Sequence, residues 1–405
     1  MFCCVLLWLP VARAQDWSHL EKYQESITRQ EFCRLIDEVY NPGKAVYGWL
    51  NLTDEWAEFF GDREKTTLDF TLHFAKPGQA PRTVPRTFKA PAELRQLQSP
   101  ANQPLKGVRI VLDPGHIGGK WAGMEERSVR FGGRLVREGD KNLIVAGLLR
   151  ERLEAMGATI YLTHDKAEPV TEARPEDFKE EARQDVYAKH GVTDETARAR
   201  QGYFDKLANW YAELYFYRRA EIAQRAENIR TEFLPDLNIC NHFNATETSG
   251  SGTMVKDNRH VFFINGCYGP DEVKNPMTRY YLFSKLLEQP LEIEIAVADA
   301  ITEKMLGIAK LPPVKYGRSQ YQCPVNDNPY LYARNLAASR QYPGPCVILE
   351  PFYMNNVWTA ERLAAGDYDG LKPVAGGSYR SIFREYAEAV AGAIAEVYSK
   401  WTVKP

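Results

Sequence analysis

The sequence predicts an α/β protein: a mostly parallel sheet flanked by helices, with a helical insertion and a small N-terminal α+β domain. Three observations carry this. GVRIVLDPGH and ATIYLTHD are near-continuous apolar runs separated by a helix-period segment at 141–156, with Leu143, Ala146, Leu149 and Leu153 on one face. Strand, helix, strand with strands buried on both faces is the signature of parallel pairing. The strand pattern returns in LNICNHFN, HVFFING and PCVILEPF, after a long polar and aromatic stretch, roughly 166–233, that is helical by pattern and interrupts the alternation.

A chain of 405 residues is long enough for two or three domains. Apolar residues at 44% and aromatics at 12% can bury a sizeable core, which excludes a mainly disordered chain. Lys+Arg 51 against Asp+Glu 53 leaves a net charge of −2. With no basic excess and no Lys/Arg run, the chain lacks the surface with which general nucleic-acid binders displace counterions from phosphates.

Residues 1–14 read as a secretory signal peptide, an apolar stretch followed by Ala12-Arg13-Ala14, so the mature protein is expected outside the cytoplasm, periplasmic or associated with the cell wall. No later run reaches the ~18–20 apolar residues of a membrane span. Five cysteines remain after cleavage: Cys33, Cys240, Cys267, Cys323 and Cys346. One or two disulfides could form among them, leaving at least one thiol; small buried apolar residues are the plainer reading.

Residues 15–75 form the small N-terminal domain. Thr28 and Glu31 make a capping box that opens a helix ending at Asn41-Pro42-Gly43, a second helix is expected around Trp56, and TTLDFTLHF alternates like a strand. Residues 76–105, with prolines at 77, 81, 85, 91, 100 and 104, read as a linker or a strap on the next domain. Residues 106–405 make up the α/β domain, with the insertion at about 166–217, helices at 291–306 and near 330–337, and a closing helix at 382–401.

In open α/β sheets, functional groups gather beyond the carboxyl ends of strands. Three strand ends carry suitable groups: Asp113-Pro114-Gly115-His116, Asn241-His242-Phe243-Asn244, and Glu350. A fourth set, Glu138 to Leu143, opens the helix after the first strand. Two histidines and a carboxylate suit catalytic zinc, which takes about three protein ligands and leaves one position open. Glu350 directly follows Val347-Ile348-Leu349, where desolvating a carboxylate is costly unless a metal, a cation or a catalytic task accounts for it. Glu125 and Glu126 compete with Glu138 as third ligand.

Together these segments resemble the zinc-dependent N-acetylmuramoyl-L-alanine amidases, a bacterial cell-wall family with a parallel-sheet catalytic domain. Its members open with Leu-Asp-Pro-Gly-His-Gly-Gly, against LDPGHIGG here. They continue with Glu-Lys-Asp-Val-Asn-Leu, against EGDKNL, and carry Asp-Leu-Phe-Ile-Ser-Ile-His-Ala-Asn-Ala, against DLNICNHFNA. Near the end Val-Glu-x-x-Phe-x-Ser-Asn is matched more loosely by LEPFYMNN. The four motifs keep the family's order over about residues 106–402. The resemblance implies Zn2+ held by His116, Glu138 and His242, with Glu350 as the catalytic carboxylate. It implies peptidoglycan as substrate and leaves room for an activator protein.

Asp113 is expected to orient His116, and Asn244 and Asn356 to support the site or touch substrate. Departures from the family pattern are Ile117, Lys141, Asn241, Phe243 and Asn355; Phe243 is expected to narrow the pocket. His164 reads as a loop or surface group, and Arg219 or Arg225 as half of a structural ion pair. The aromatic stretch from Tyr203 to Tyr217 reads first as helical core packing, with a lid, a glycan platform or an activator dock as the functional alternatives. A carboxypeptidase-like site would place Glu three residues after the first histidine, where Gly119 stands. Hydrolysis of another amide or peptide bond, and a non-catalytic wall-binding role, are the competing functions.

Overall fold

The computed structural model describes residues 16–246 and 253–403; the expected export signal at 1–14 lies outside them. A 3-10 turn at Trp17–Tyr23 precedes helix α1 (Arg29–Leu35), whose first turn is capped by Thr28 Oγ1 accepting from Glu31 N at 3.1 Å. Strands β1 (Leu50–Leu52), β2 (Trp56–Phe60) and β3 (Leu68–His73) form an antiparallel sheet. The helix expected around Trp56 is therefore strand β2. Its apolar residues 56, 57, 59 and 60 fit either period, and pairing with β1 and β3 decides the outcome. Trp17 packs on Tyr280 and Phe283, and Phe32 and Phe59 pack on Phe283, so this unit shares one hydrophobic core with the sheet that follows.

Residues 76–105 lie on the main body as a strap, broken only by short turns that include α2 (Pro91–Leu94). Val84, Phe88, Leu94 and Leu105 are buried along it. Asp236, fully buried, accepts from Lys89 N and Nζ and from Arg109 N, each at 2.9 Å, and so fastens strap to sheet.

The main sheet is built from β4 (Arg109–Pro114), β7 (Thr159–Leu162), β8 (Leu237–Asn241), β9 (His260–Ile264), β10 (Cys323–Pro324), β11 (Leu331–Ala333) and β12 (Cys346–Pro351), in the order β10-β11-β9-β12-β8-β4-β7. Pairs β12/β8, β8/β4, β4/β7 and β11/β9 are parallel; β9/β12 and β10/β11 are antiparallel. A hairpin, β5 (Ser128–Phe131) and β6 (Arg134–Arg137), turns on Gly132 and Gly133, both at positive φ, and runs directly into α3 (Glu138–Ala155).

Helices α4 (Lys179–His190), α5 (Asp194–Ala199), α6 (Gln201–Leu214) and α7 (Glu221–Asn228) make up the helical stretch between β7 and β8. Phe204, Tyr211, Tyr215, Phe216 and Tyr217 are buried there with Ile117 in a separate small core, so this aromatic stretch is mainly packing. The second half adds α8 (Pro276–Glu288), α9 (Leu291–Ile308), α10 (Ala337–Gln341), α11 (Val357–Ala364), a small hairpin of β13 (Lys372–Val374) and β14 (Gly377–Tyr379), and α12 (Ile382–Thr402). The helix expected near 330–337 is instead β11 followed by α10. Helices α3, α9 and α12 cover one face of the sheet, and α7 and α10 lie on the other.

All five described cysteines are free thiols; Cys240 Sγ and Cys346 Sγ stand 3.8 Å apart, well beyond the ~2.05 Å of a disulfide. Among the described residues no helix is long and apolar enough to cross a membrane.

One buried carboxylate makes stability depend on pH. Glu294 of α9 is fully buried, with Oε1 accepting from Cys346 N at 2.9 Å and Oε2 without a partner. Burial pushes its pKa up to about 7, with Lys285 opposing. The folded state thus binds the proton more tightly than the unfolded chain. Its contribution to stability is complete below pH ~4.5 and is lost as pH rises through about 7. Glu294→Gln keeps the acceptor and removes the titration. In denaturant unfolding, the variant should gain on the wild type by up to about 3 kcal/mol between pH 5 and 8, and parallel profiles would refute this.

Candidate metal centre

His116, His242 and Glu350 stand at the carboxyl ends of β4, β8 and β12, three neighbouring parallel strands. Glu138 comes to the same edge because it is the first residue of α3, where helix N-terminal N–H groups favour a carboxylate. One ligand atom from each of His116, Glu138 and His242 lies within 4.8 Å of the others. His116 Nε2 is 3.3 Å from Glu138 Oε2, and His242 Nδ1 is 3.0 Å from Glu138 Oε1. The two rings meet edge to face with centroids 5.1 Å apart.

This donor set fits zinc. Tetrahedral bonds of ~2.0–2.2 Å place ligand atoms ~3.3–3.5 Å apart; the two histidine–carboxylate distances, 3.3 and 3.0 Å, are close to that, within a set whose atoms all lie inside 4.8 Å. Glu125, buried at 3% exposure, lies 3.3 Å from His116 Nδ1 and also accepts from Ile117 N at 3.0 Å and Gly118 N at 3.2 Å. A proton on Nδ1 leaves Nε2 as the free lone pair, the carboxylate–histidine arrangement typical of metal sites. Charge agrees: burial opposes charging His116, yet Glu138 and Glu125 outweigh it and push its pKa up to about 9. Burial likewise opposes ionisation of Glu138, but the two imidazoles hold its carboxyl well below the ordinary range. The cluster is built to hold positive charge.

Glu125 thus takes the orienting task expected of Asp113. Asp113 accepts instead from Arg225 Nη1 at 2.9 Å, Thr163 Oγ1 at 2.6 Å and Tyr342 OH at 2.9 Å. Arg225, buried and paired also with Glu221, donates to the carbonyls of Pro114 at 3.1 Å and His116 at 3.2 Å. That grip maintains His116 at φ 66, a left-handed conformation costly for a side chain with a Cβ. Arg219 pairs with Glu181 away from this network.

Asn356 caps α11, accepting from Thr359 N at 3.1 Å, and its amide donates to the carbonyls of Val255, Lys256 and Asp257; its role is to hold a loop. Asn244 bonds locally: its Oδ1 accepts from Ala245 N at 2.7 Å and its carbonyl from Met354 N at 2.7 Å. Phe243 is buried edge-on against Tyr386, 5.5 Å between centroids, so it belongs to the core and does not narrow the pocket. His164 is buried rather than surface-exposed, and burial takes its pKa down to about 3.

Asn142, one turn into α3 and inside the Glu138–Leu143 set, has a role the sequence does not assign: its buried amide donates to Gly115 O at 2.9 Å and reaches Glu138 Oε1 at 3.5 Å. Its place at i+4 from Glu138 was the available signal. Gly115 is required by space, since a Cβ there would lie 2.0 Å from His242 Cε1. Gly115→Ala should displace the imidazole and weaken zinc binding by about 10–100-fold; competition against a chromogenic chelator measures it, and wild-type affinity would mean the ring can move without cost.

Glu350 is half-buried, next to the point where His242 N donates to Leu349 O at 2.9 Å. Burial and the neighbouring Glu138 raise its pKa, partly offset by the histidines. A carboxylate disposed to accept a proton stands beside a candidate metal centre.

No protein-family model and no curated protein matches the chain. Solved structures do. The N-acetylmuramoyl-L-alanine amidase AmiC2 of Nostoc punctiforme is 16% identical, with a TM-score of 0.37 over 71% of this chain and 96% of that one. The CwlD amidase of Clostridioides difficile, solved in complex with the GerS lipoprotein, is 18% identical, with a TM-score of 0.36 over 73% and 98%. The apo N-acetylmuramyl-L-alanine amidase Ami1 of Mycobacterium abscessus is 15% identical, with a TM-score of 0.38 over 72% and 99%.

Proposed function

We propose that the protein is a zinc-dependent hydrolase that cleaves the amide bond between N-acetylmuramic acid and the L-alanine of peptidoglycan stem peptides. The carrying observation is the convergence of His116, Glu138, His242 and Glu350 on one sheet edge, each from one of the four motifs that resemble the amidase family in order. His116, Glu138 and His242 would hold the metal. Zinc there would polarise the scissile carbonyl and acidify a water molecule.

The chain's own residues do the rest. Glu125 and Arg225 fix His116, and Asn142 fixes Glu138. Glu350 takes the proton from the attacking water and delivers it to the departing alanine nitrogen, so an unstable amide anion never leaves. Export to the periplasm or cell wall, and control by an activator protein, belong to the same reading.

The test is mass spectrometry of purified peptidoglycan incubated with the mature protein, with a chelated sample as control. Stem peptides beginning with L-alanine, absent after chelation, are expected. Bound zinc without released peptide would favour another amide substrate or a binding role.

A further inference from the structure

Arg127 has no place in the roles above, yet it borders the candidate centre. Its carbonyl accepts from Glu138 N at 3.0 Å, and its own N–H donates to Ala122 O at 3.0 Å, so its backbone is tied directly to the ligand residue at the base of the β5/β6 hairpin. Its Nε stands 3.7 Å from Glu138 Oε2, the oxygen that faces His116 Nε2. That separation exceeds a hydrogen bond, and a guanidinium built to pair with this carboxylate would close to ~2.7–2.9 Å. Nη1 donates to Glu126 O at 3.2 Å. Among the described residues the guanidinium makes no other hydrogen bond, so most of its five N–H donors are uncommitted, at 28% exposure.

The contrast with Arg225 is informative. Arg225 is buried and spends its donors on Glu221, Asp113 and two carbonyls, as a structural arginine does. Arg127 is held at its backbone, and among the described residues most of the donors at its tip have no protein partner. At rest the cation is balanced by Glu138 at 3.7 Å and by nearby Glu350, and its free donors remain available for negative charge that develops on a bound substrate. Donors placed in advance where charge develops are the strongest electrostatic device available to an enzyme.

We propose that Arg127 is a catalytic residue of the amide hydrolysis, donating to the scissile carbonyl oxygen as that oxygen becomes negative. The proposal rests on the amidase reading. Water oxygen bonds to the carbonyl carbon, and its proton passes to Glu350. The carbonyl π pair moves onto oxygen and returns as the C–N bond breaks, and nitrogen takes the proton from Glu350. Arg127 keeps all its protons.

The test compares Arg127→Gln and Arg127→Lys with the wild type on a defined muropeptide. Its readouts are zinc content, kcat, KM, and affinity for a phosphinate analogue of the tetrahedral species and for the cleaved stem peptide. Arg127→Gln should keep its zinc and its KM within about threefold while kcat falls about 10²–10³-fold. Analogue affinity should fall in proportion and product affinity should hold; Arg127→Lys should recover about tenfold of kcat. Undiminished kcat in Arg127→Gln would overturn the proposal. So would lost zinc with activity restored by added metal, because Arg127 would then only support Glu138. A wild-type enzyme that releases no stem peptide would refute the amidase reading itself, whatever the variants do.

Discussion

Glu350→Gln is expected to lower the rate of stem-peptide release by about 10²–10⁴-fold while the protein keeps its full complement of zinc. The substitution preserves shape and takes away only the ability to accept and return a proton. Glu350 sits on β12 next to β8, the strand that leads into His242, and is not among the three residues whose ligand atoms cluster. Metal retention and loss of turnover should therefore separate cleanly. Quantified stem peptides and elemental analysis of the same preparation check both halves. Near-wild-type turnover would remove Glu350 from the mechanism.

Glu138→Ala should act on the metal itself. Glu138 supplies the oxygens that both imidazoles face, and Ala leaves two nitrogens where catalytic zinc needs about three ligands. Removing even a supporting partner typically costs 10–100-fold in affinity, so losing a ligand should exceed about 100-fold. Added zinc should raise the wild-type melting temperature and leave the variant's nearly unchanged, since stabilisation by a bound ion follows its affinity. Unchanged zinc content would transfer the third ligand to Glu125 or Glu126. The geometry argues against that, because Glu125 already faces His116 Nδ1 and binds two backbone amides.

What could be read from the sequence was whatever a long, one-sided pattern carries. Strand β4, helix α3 and strand β12 are long and apolar enough to announce themselves, and groups that end such strands land on a shared edge by topology alone. Two elements misread were short: five residues around Trp56 fit either period, and β11 spans only three residues, too few for any period to show. The supporting residues were hidden for a different reason. Glu125 and Glu126 are adjacent and chemically alike, and only the folded chain turns the first toward His116 Nδ1. Arg225 reaches Asp113 across more than a hundred residues, and His164 is buried by elements that no local pattern describes.

The shared core of the N-terminal unit has a consequence for how the chain comes to be made. Phe32 and Phe59 bury their rings on Phe283, more than two hundred residues downstream. At synthesis rates of about 5–20 residues per second, that aromatic surface waits some ten seconds or more for its cover. Until then that aromatic surface is exposed and the first layer of the fold is incomplete. A polypeptide whose first layer is covered only by residues of its last third completes that layer late in its synthesis.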